Sequence, residues 1–359
     1  MKKIGILTFH DTFNYGASLQ CYALQKKLNE LGAKTEVVDY KCPWFNKRYS
    51  PFYIQEKTIK KLLYMLAALP MNIILKNKKN EFQKKFLPLS KEYTPKTISS
   101  ANDEYDGFIT GSDQVWNWDL TKFDKTYFLD FVREDKKKVS YAASIGLKEI
   151  EEGKKEFYKT QLSSYDLISV REESAANIVQ DLTGNTPELV CDPVFLLKKE
   201  DWAKVAAPVE EKGYILLYSI NRTKAYAYAQ SLAKEQNKKI VYLAAPLKQQ
   251  GVFIAKREEG PAEFVSWFRN ADLVVTDSFH GTAFSLLFNK QFVSLIDSKN
   301  TRNSRIVDLL DKLDLSDRIL ENFEDTKKVL ETIDYTVVGQ KMDDYVNVSL
   351  QYLDKIIKL

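Results

Sequence analysis

The chain has 359 residues, 44% hydrophobic and 28% charged, with a formal net charge of +4. That length suggests two domains of ordinary size. Frequent, evenly spread aromatic residues exclude wholesale disorder, and so small a charge gives no case for nucleic acid as a partner, though a local basic face on an anionic substrate stays open. Cys21, Cys42 and Cys191 are odd in number and widely spaced. They form no disulfide framework and no metal-ligand pattern, which points to a reducing, cytoplasmic compartment and no bound metal.

The first predicted strand starts at Lys3, with no apolar signal segment before it, so export is not expected. It covers residues 3–9, and a turn at Asn14-Tyr-Gly-Ala17 leads into a helix over 16–31 that Gly32 ends. A second strand follows at 34–40. Residues 56–87 read as helical and lysine-rich. Within them lies the longest apolar run, Leu62 to Leu75, too short for a membrane span of about 20 residues and expected to break at Pro70 and Asn72. Lys57, Lys60, Lys61, Lys76, Lys78 and Lys79 flank it. It reads first as a buried or dimer-forming helical pair; the alternative is an interfacial helix resting on an anionic membrane, a peripheral contact at the inner face.

Buried strands are then predicted at 107–110, 138–143, 167–170 and 189–191, each ending in a polar turn. A charged stretch from Lys198 to Gly213, with Pro208, reads as a linker. A second α/β series begins at Tyr214, with a helix over 223–236, a strand at 239–244 and a helix opened by Pro261. An apolar strand ending at Thr276 runs into a polar turn and a helix that Gly281 opens. A strand at 291–296, a helix at 303–313 and a terminal helix from about Asp343 follow. The alternation predicts parallel α/β architecture: an N-terminal Rossmann-like domain over 1–200, a C-terminal one over 201–335, and a helix over 336–359 packing back. A cleft between two such domains is a common ligand site.

Both histidines, His10 and His280, sit where a strand runs into a helix, the side of open α/β folds on which ligands bind. Histidine titrates near neutral pH, which makes His280 the first candidate for a catalytic acid or base. His10 is as readily a packed, hydrogen-bonded residue as a ligand. Asn14 and Gly16 form a tight turn that can offer helix amides. Asp113, in apolar surroundings beside Trp116, reads either as a turn residue or as an acceptor for a substrate proton. Arg171 follows a four-residue strand; a salt bridge to Glu172 or Glu173 competes with an anion-binding role. Arg302 and Arg305 precede a helix start, where arginines and free amides suit phosphate or carboxylate. The phosphate-loop, dinucleotide and nucleophile-elbow signatures are absent.

Asn14-Tyr-Gly-Ala-Ser-Leu-Gln20 with Tyr22-Ala-Leu24, Gly111-Ser-Asp-Gln-Val-Trp116, Tyr141-Ala-Ala-Ser144, Val170-Arg-Glu172, Cys191-Asp-Pro-Val194 and Thr276-Asp-Ser-Phe-His-Gly281 together resemble the polysaccharide pyruvyl transferase family, in the same order, over roughly residues 1–320. The resemblance implies a two-domain, GT-B-like fold. It implies transfer of a pyruvyl group from phosphoenolpyruvate, a co-substrate and not a cofactor, to a sugar of a cell-surface polysaccharide precursor, giving a ketal and phosphate. His280 matches the histidine of an Arg-x-His-Gly pattern in such members, and Arg171 matches an arginine at the phosphoenolpyruvate site. The chain departs from the pattern at Ser278, where the family has arginine. Serine cannot make a bidentate charged contact, so either Arg302 or Arg305 replaces it or the donor differs.

On this reading His280 protonates the enolpyruvyl methylene, with Asp277 favouring the charged imidazole, and Asp113 serves as base. Arg171, Arg302, Arg305 and the Ser278 turn hold the donor. The acceptor sugar, free or lipid-linked, is left open. Two alternatives remain: a GT-B glycosyltransferase using a sugar nucleotide, and a non-catalytic glycan-binding protein.

Overall fold

Short runs of β-branched and aromatic residues alternate with helical segments, and such runs close into parallel sheets covered on both faces. The computed structural model describes residues 3–50, 52–53, 58–219, 222–247, 249–296, 303–321 and 331–359. The chain divides into two compact units: Met1–Ser50, Gln83–Leu197 and Asp343–Leu359 form one, Pro51–Phe82 and Lys198–Met342 the other.

In the first unit β1 (Lys3–Leu7), β2 (Lys34–Tyr40), β3 (Leu89–Tyr93), β4 (Gly107–Thr110) and β5 (Lys137–Ser140) form a sheet in the order β3-β2-β1-β4-β5. All its pairings are parallel. β6 (Ser169–Val170) pairs with β7 (Glu188–Leu189), and bridges from Val139 to Leu167 and from Ala143 to Val170 lead from β5 to this pair. In the second unit β8 (Tyr214–Tyr218), β9 (Lys239–Leu243), β10 (Ile254–Lys256), β11 (Leu273–Thr276), β12 (Gln291–Ile296) and β13 (Ile319–Glu321) follow the order β10-β9-β8-β11-β12-β13, again all parallel. Both units are thus Rossmann-like. In each, the strand order reverses beside the unit's first strand, between β1 and β4 and between β8 and β11. The carboxyl ends flanking such a reversal are where open α/β folds hold ligands.

Several elements differ from the sequence reading. Pro70 does not split its segment: one helix runs Ile59–Phe86 with the proline inside it. A proline removes one backbone bond, and here the far end is held firmly, since Phe82 is buried and Gln83 Nε2 donates to the His10 carbonyl at 2.8 Å. Nor is the apolar run buried, because Leu62, Leu63 and Leu66 are exposed. The 198–213 stretch is not a plain linker. It contains the helix Lys199–Val205, which buries Trp202 edge-on against Phe284 at 4.9 Å between centroids. The terminal helix starts before Asp343, at Tyr335, and runs to Lys358.

Its last turns pack on the first unit through polar contacts at strand ends. Tyr352 Oη donates to the Ser140 carbonyl at 2.9 Å and Tyr345 Oη to the Val190 carbonyl at 3.0 Å, while Ser349 Oγ accepts from the Cys191 amide at 2.8 Å. All three cysteines are free and buried. Replacing Tyr352, fully buried, with alanine is expected to cost roughly 3–5 kcal/mol, as for other large aromatic truncations. Tyr352→Phe removes only the hydroxyl and should cost about 1 kcal/mol. Urea unfolding of the two variants measures both.

Candidate functional site

At the reversal in the second unit, the turn after β11 is tied down atom by atom. Thr276 Oγ1 donates to the Tyr218 carbonyl (2.7 Å) and accepts from the Ser278 amide (3.1 Å). Ser278 is the N-cap of the helix Phe279–Leu287, its Oγ accepting from the Gly281 amide at 3.4 Å. The helix therefore opens at Phe279 rather than at Gly281, and His280 lies buried in its first turn. Gly281 is needed because a Cβ there would sit 2.2 Å from Thr276 Oγ1. Asp277 accepts from Ser219 Oγ, just beyond β8, at 2.7 Å.

Phe279 meets the His280 ring edge-on at 5.3 Å, and the Arg305 guanidinium lies 5.6 Å from the Phe279 centroid. Arg305 is in the first turn of the helix Ser304–Lys312. An imidazole, a guanidinium and the amides of a serine-capped helix start thus gather at one switch point, a combination suited to an anion and a proton transfer. Arg302 lies outside the described residues.

At the reversal in the first unit, Asn14 caps the helix Tyr15–Glu30, its Oδ1 accepting from the Gly16 amide at 3.0 Å. His10 is buried, with Nε2 2.9 Å from Asp39 Oδ1 and Nδ1 3.3 Å from the Thr8 carbonyl. Lys41 Nζ reaches the same Asp39 oxygen at 2.7 Å. Burial pushes the Asp39 carboxyl upward, but the hydrogen bonds and charges of His10 and Lys41 outweigh it and hold the pKa below its ordinary 3.8. His10 is thus packed and hydrogen-bonded on both ring nitrogens.

Arg171 is the centre of the first unit's network. Its side chain is 1% exposed. Nη1 donates to Asp192 Oδ2 and, at 3.1 Å, to Ser112 Oγ; Nη2 donates to Asp113 Oδ1 at 3.2 Å. Nε lies 3.7 Å from Glu172 Oε2. Burial lowers the guanidinium pKa, but Asp192, Asp113 and Glu172 together raise it above its ordinary value. Asp113 sits at φ +72°, a left-handed conformation uncommon outside glycine. Gly111 precedes it at φ +107°, where a Cβ would come within 2.3 Å of the Tyr141 carbonyl oxygen.

The structure thus joins Arg171 to Asp113, and groups His280, Ser278 and Arg305; His10, Asn14 and Gly16 lie beside β1. Ser112, Asp192 and Glu172 were not among the residues expected at a site, although each stands in a quoted motif. Their signal was a polar residue two or three positions past the end of a short strand. Among the described residues no cluster of His, Cys, Asp and Glu is arranged to hold a metal ion.

The sequence model of the family described as Polysaccharide pyruvyl transferase matches residues 14–299. No curated protein sequence matches the chain. Among solved structures, a UDP-GlcNAc 2-epimerase from Neisseria meningitidis bound to UDP-GlcNAc is similar at 11% identity and TM-score 0.53, over 100% of both chains. A putative UDP-N-acetylglucosamine 2-epimerase from Listeria monocytogenes is similar at 9% identity and TM-score 0.53, over 96% of this chain and 90% of that one. These likenesses are of fold: two Rossmann-like domains of the GT-B class.

Arg171→Met leaves three buried carboxylates without their cation and is expected to destabilise by roughly 3–5 kcal/mol in urea unfolding. Arg171→Lys should recover only part, lacking the planar fork. Asp39 gives a pH signature. Its stabilisation is complete above the unfolded-state value near 3.8. As pH falls below that, the unfolded carboxyl protonates first, and the contribution is lost as pH passes through the depressed folded value. Thermal melts should show wild type and Asp39→Asn converging in acid and diverging toward neutrality.

Proposed function

The chain belongs to the polysaccharide pyruvyl transferase family, and from that premise we propose that it transfers a pyruvyl group from phosphoenolpyruvate to a sugar diol of a polysaccharide precursor. What supports this reading is the position of His280 at the β8/β11 reversal, in the first turn of a capped helix, with Arg305 over the ring of its neighbour Phe279. A trianionic donor needs cationic and amide donors, and an enol phosphate needs a proton delivered to carbon. The group around Phe279 offers both.

In the proposed sequence, protonated His280 delivers its proton to the methylene carbon, turning CH2 into CH3 and leaving an oxocarbenium-like C2. One sugar hydroxyl attacks C2 and returns a proton to the now neutral imidazole. A second hydroxyl then forms the other C–O bond as the bond from C2 to the phosphate oxygen breaks. Phosphate leaves with the second hydroxyl's proton. Arg305 and the helix amides stabilise the departing dianion. Asp113, the base expected from sequence, accepts from Arg171 at 3.2 Å, and the steps of the transfer do not require it. Ser278, in the place of the family's arginine, accepts the Gly281 amide, so the cation comes from Arg305.

Calorimetric titration of phosphoenolpyruvate into the full chain tests the reading. Saturable binding is expected, weakened about ten- to a hundredfold in Arg305→Ala, the range for losing a charge-assisted hydrogen bond. His280→Gln should still bind but lose about 10²–10⁴-fold in acceptor-dependent phosphate release, the usual share of a general acid. Binding of a UDP-sugar with none of phosphoenolpyruvate would replace this reading with glycosyl transfer. Glycan binding with no turnover of either donor would leave a binding protein.

A further inference from the structure

We propose that the N-terminal half of the helix Ile59–Phe86 docks on an anionic lipid bilayer, lying along its surface. The proposal stands apart from the transfer chemistry and does not depend on it.

Ile59, Leu62, Leu63, Leu66 and Ile73 are exposed, Ile59 at 81% and Leu63 at 62%. Their spacing of three, four and seven residues puts them within an arc of roughly 100° on one helix face, in a stripe about 21 Å long at 1.5 Å per residue. The buried positions of the same helix lie off the stripe: Ala68, Lys79 and Phe82 on the opposite side and Gln83 on its flank. The apolar stripe is therefore not the edge of a core contact; it faces away from the side that packs. The helix is anchored by Lys78, which pairs with Glu259 at 3.3 Å and Glu263 at 3.1 Å. A contiguous exposed apolar patch on a folded protein marks an interaction surface.

Charge decides which occupant it fits. The helix carries seven lysines and one acidic residue, Glu81. Lys60 and Lys76, both exposed, project to the two sides of the stripe at helical spacing. Lysines flanking an apolar stripe match anionic headgroups around buried acyl chains. A second copy of the chain would set lysines against lysines along the same seam. No helix among the described residues is long and apolar enough to cross a membrane, so the geometry is that of a helix lying on the surface.

Co-sedimentation of the full chain with vesicles tests this, using phosphatidylcholine alone and an equal mixture of phosphatidylcholine and phosphatidylglycerol. Binding to the mixed vesicles and not to the neutral ones is expected. Leu63→Glu with Leu66→Glu should weaken it by at least about a hundredfold, the scale of losing two buried leucines. Lys60→Gln with Lys76→Gln should weaken it about twentyfold, near fivefold per lysine. Both variants change exposed positions and should melt with wild type. Absence of binding to the mixed vesicles overturns the proposal, as does binding that the leucine variant leaves unchanged. So does a dimer in sedimentation velocity that the leucine variant splits without any vesicle binding, which would assign the stripe to a second copy.

Discussion

One buried cation organises the first unit. Arg171 takes contacts from turns after β4, β6 and β7, and through Glu172 it reaches the turn after β5, since Glu172 Oε1 accepts from the Ile145 and Gly146 amides at 3.1 and 3.3 Å. Three carboxylates face a single positive charge, an excess that would be costly if the amides did not share it. Asp192 Oδ1 accepts from the Val194 amide at 3.1 Å and Asp113 Oδ1 from the Gln114 amide at 2.8 Å. Each carboxylate is thus held by the cation on one side and by backbone on the other. Such a network costs desolvation, and its return is geometric: it fixes loop conformations that the chain would not otherwise hold. The left-handed Asp113 is one of them.

Both units tie down the turns at their switch points. In the first, the carboxyl ends are closed on themselves, by Arg171 and by Thr8 Oγ1, which donates to the Ser112 carbonyl at 2.9 Å. In the second, the turn after β11 is equally constrained in its backbone, through Thr276, Ser278 and the Asp277–Ser219 bond. Rigid backbone under a reactive side chain is what preorganisation requires.

Much of this was legible in the sequence where one face or both faces of an element are buried. β1, β4, β8, β11 and β12 are mainly apolar runs, β2 buries alternate residues as well as Val37 and Val38, and all were read within a residue or two of their bounds. β3, with Ser90, Lys91 and Glu92, and the helix Glu152–Leu162, dominated by charge, carry little periodic signal and were missed. Both are held mainly by what they pack against. Pro70 misled because a local rule about helix breaking was applied to a segment whose end is fixed by tertiary contacts. Arg171 was ambiguous for a similar reason. A strand-end arginine beside one glutamate reads as a surface pair or a ligand site, and only the fold brings Asp113 and Asp192, 58 and 21 residues away, onto the same guanidinium.

Ser278 shows how a departure from a family pattern can be read physically. Arginine has donors and no acceptor, so it cannot receive the Gly281 amide as Ser278 Oγ does. A serine there exchanges a charged fork for a helix cap, which fixes the first turn that carries His280 and leaves its remaining amides pointing toward the strand end. The lost charge must then come from elsewhere for any polyanionic substrate. On the proposed reading Arg305 supplies it from the next helix, over the same aromatic ring that touches His280. If the proposed reading holds, serine at this position places the cation on a neighbouring element rather than in the histidine's own turn, and donor binding then depends on the position of the helix Ser304–Lys312.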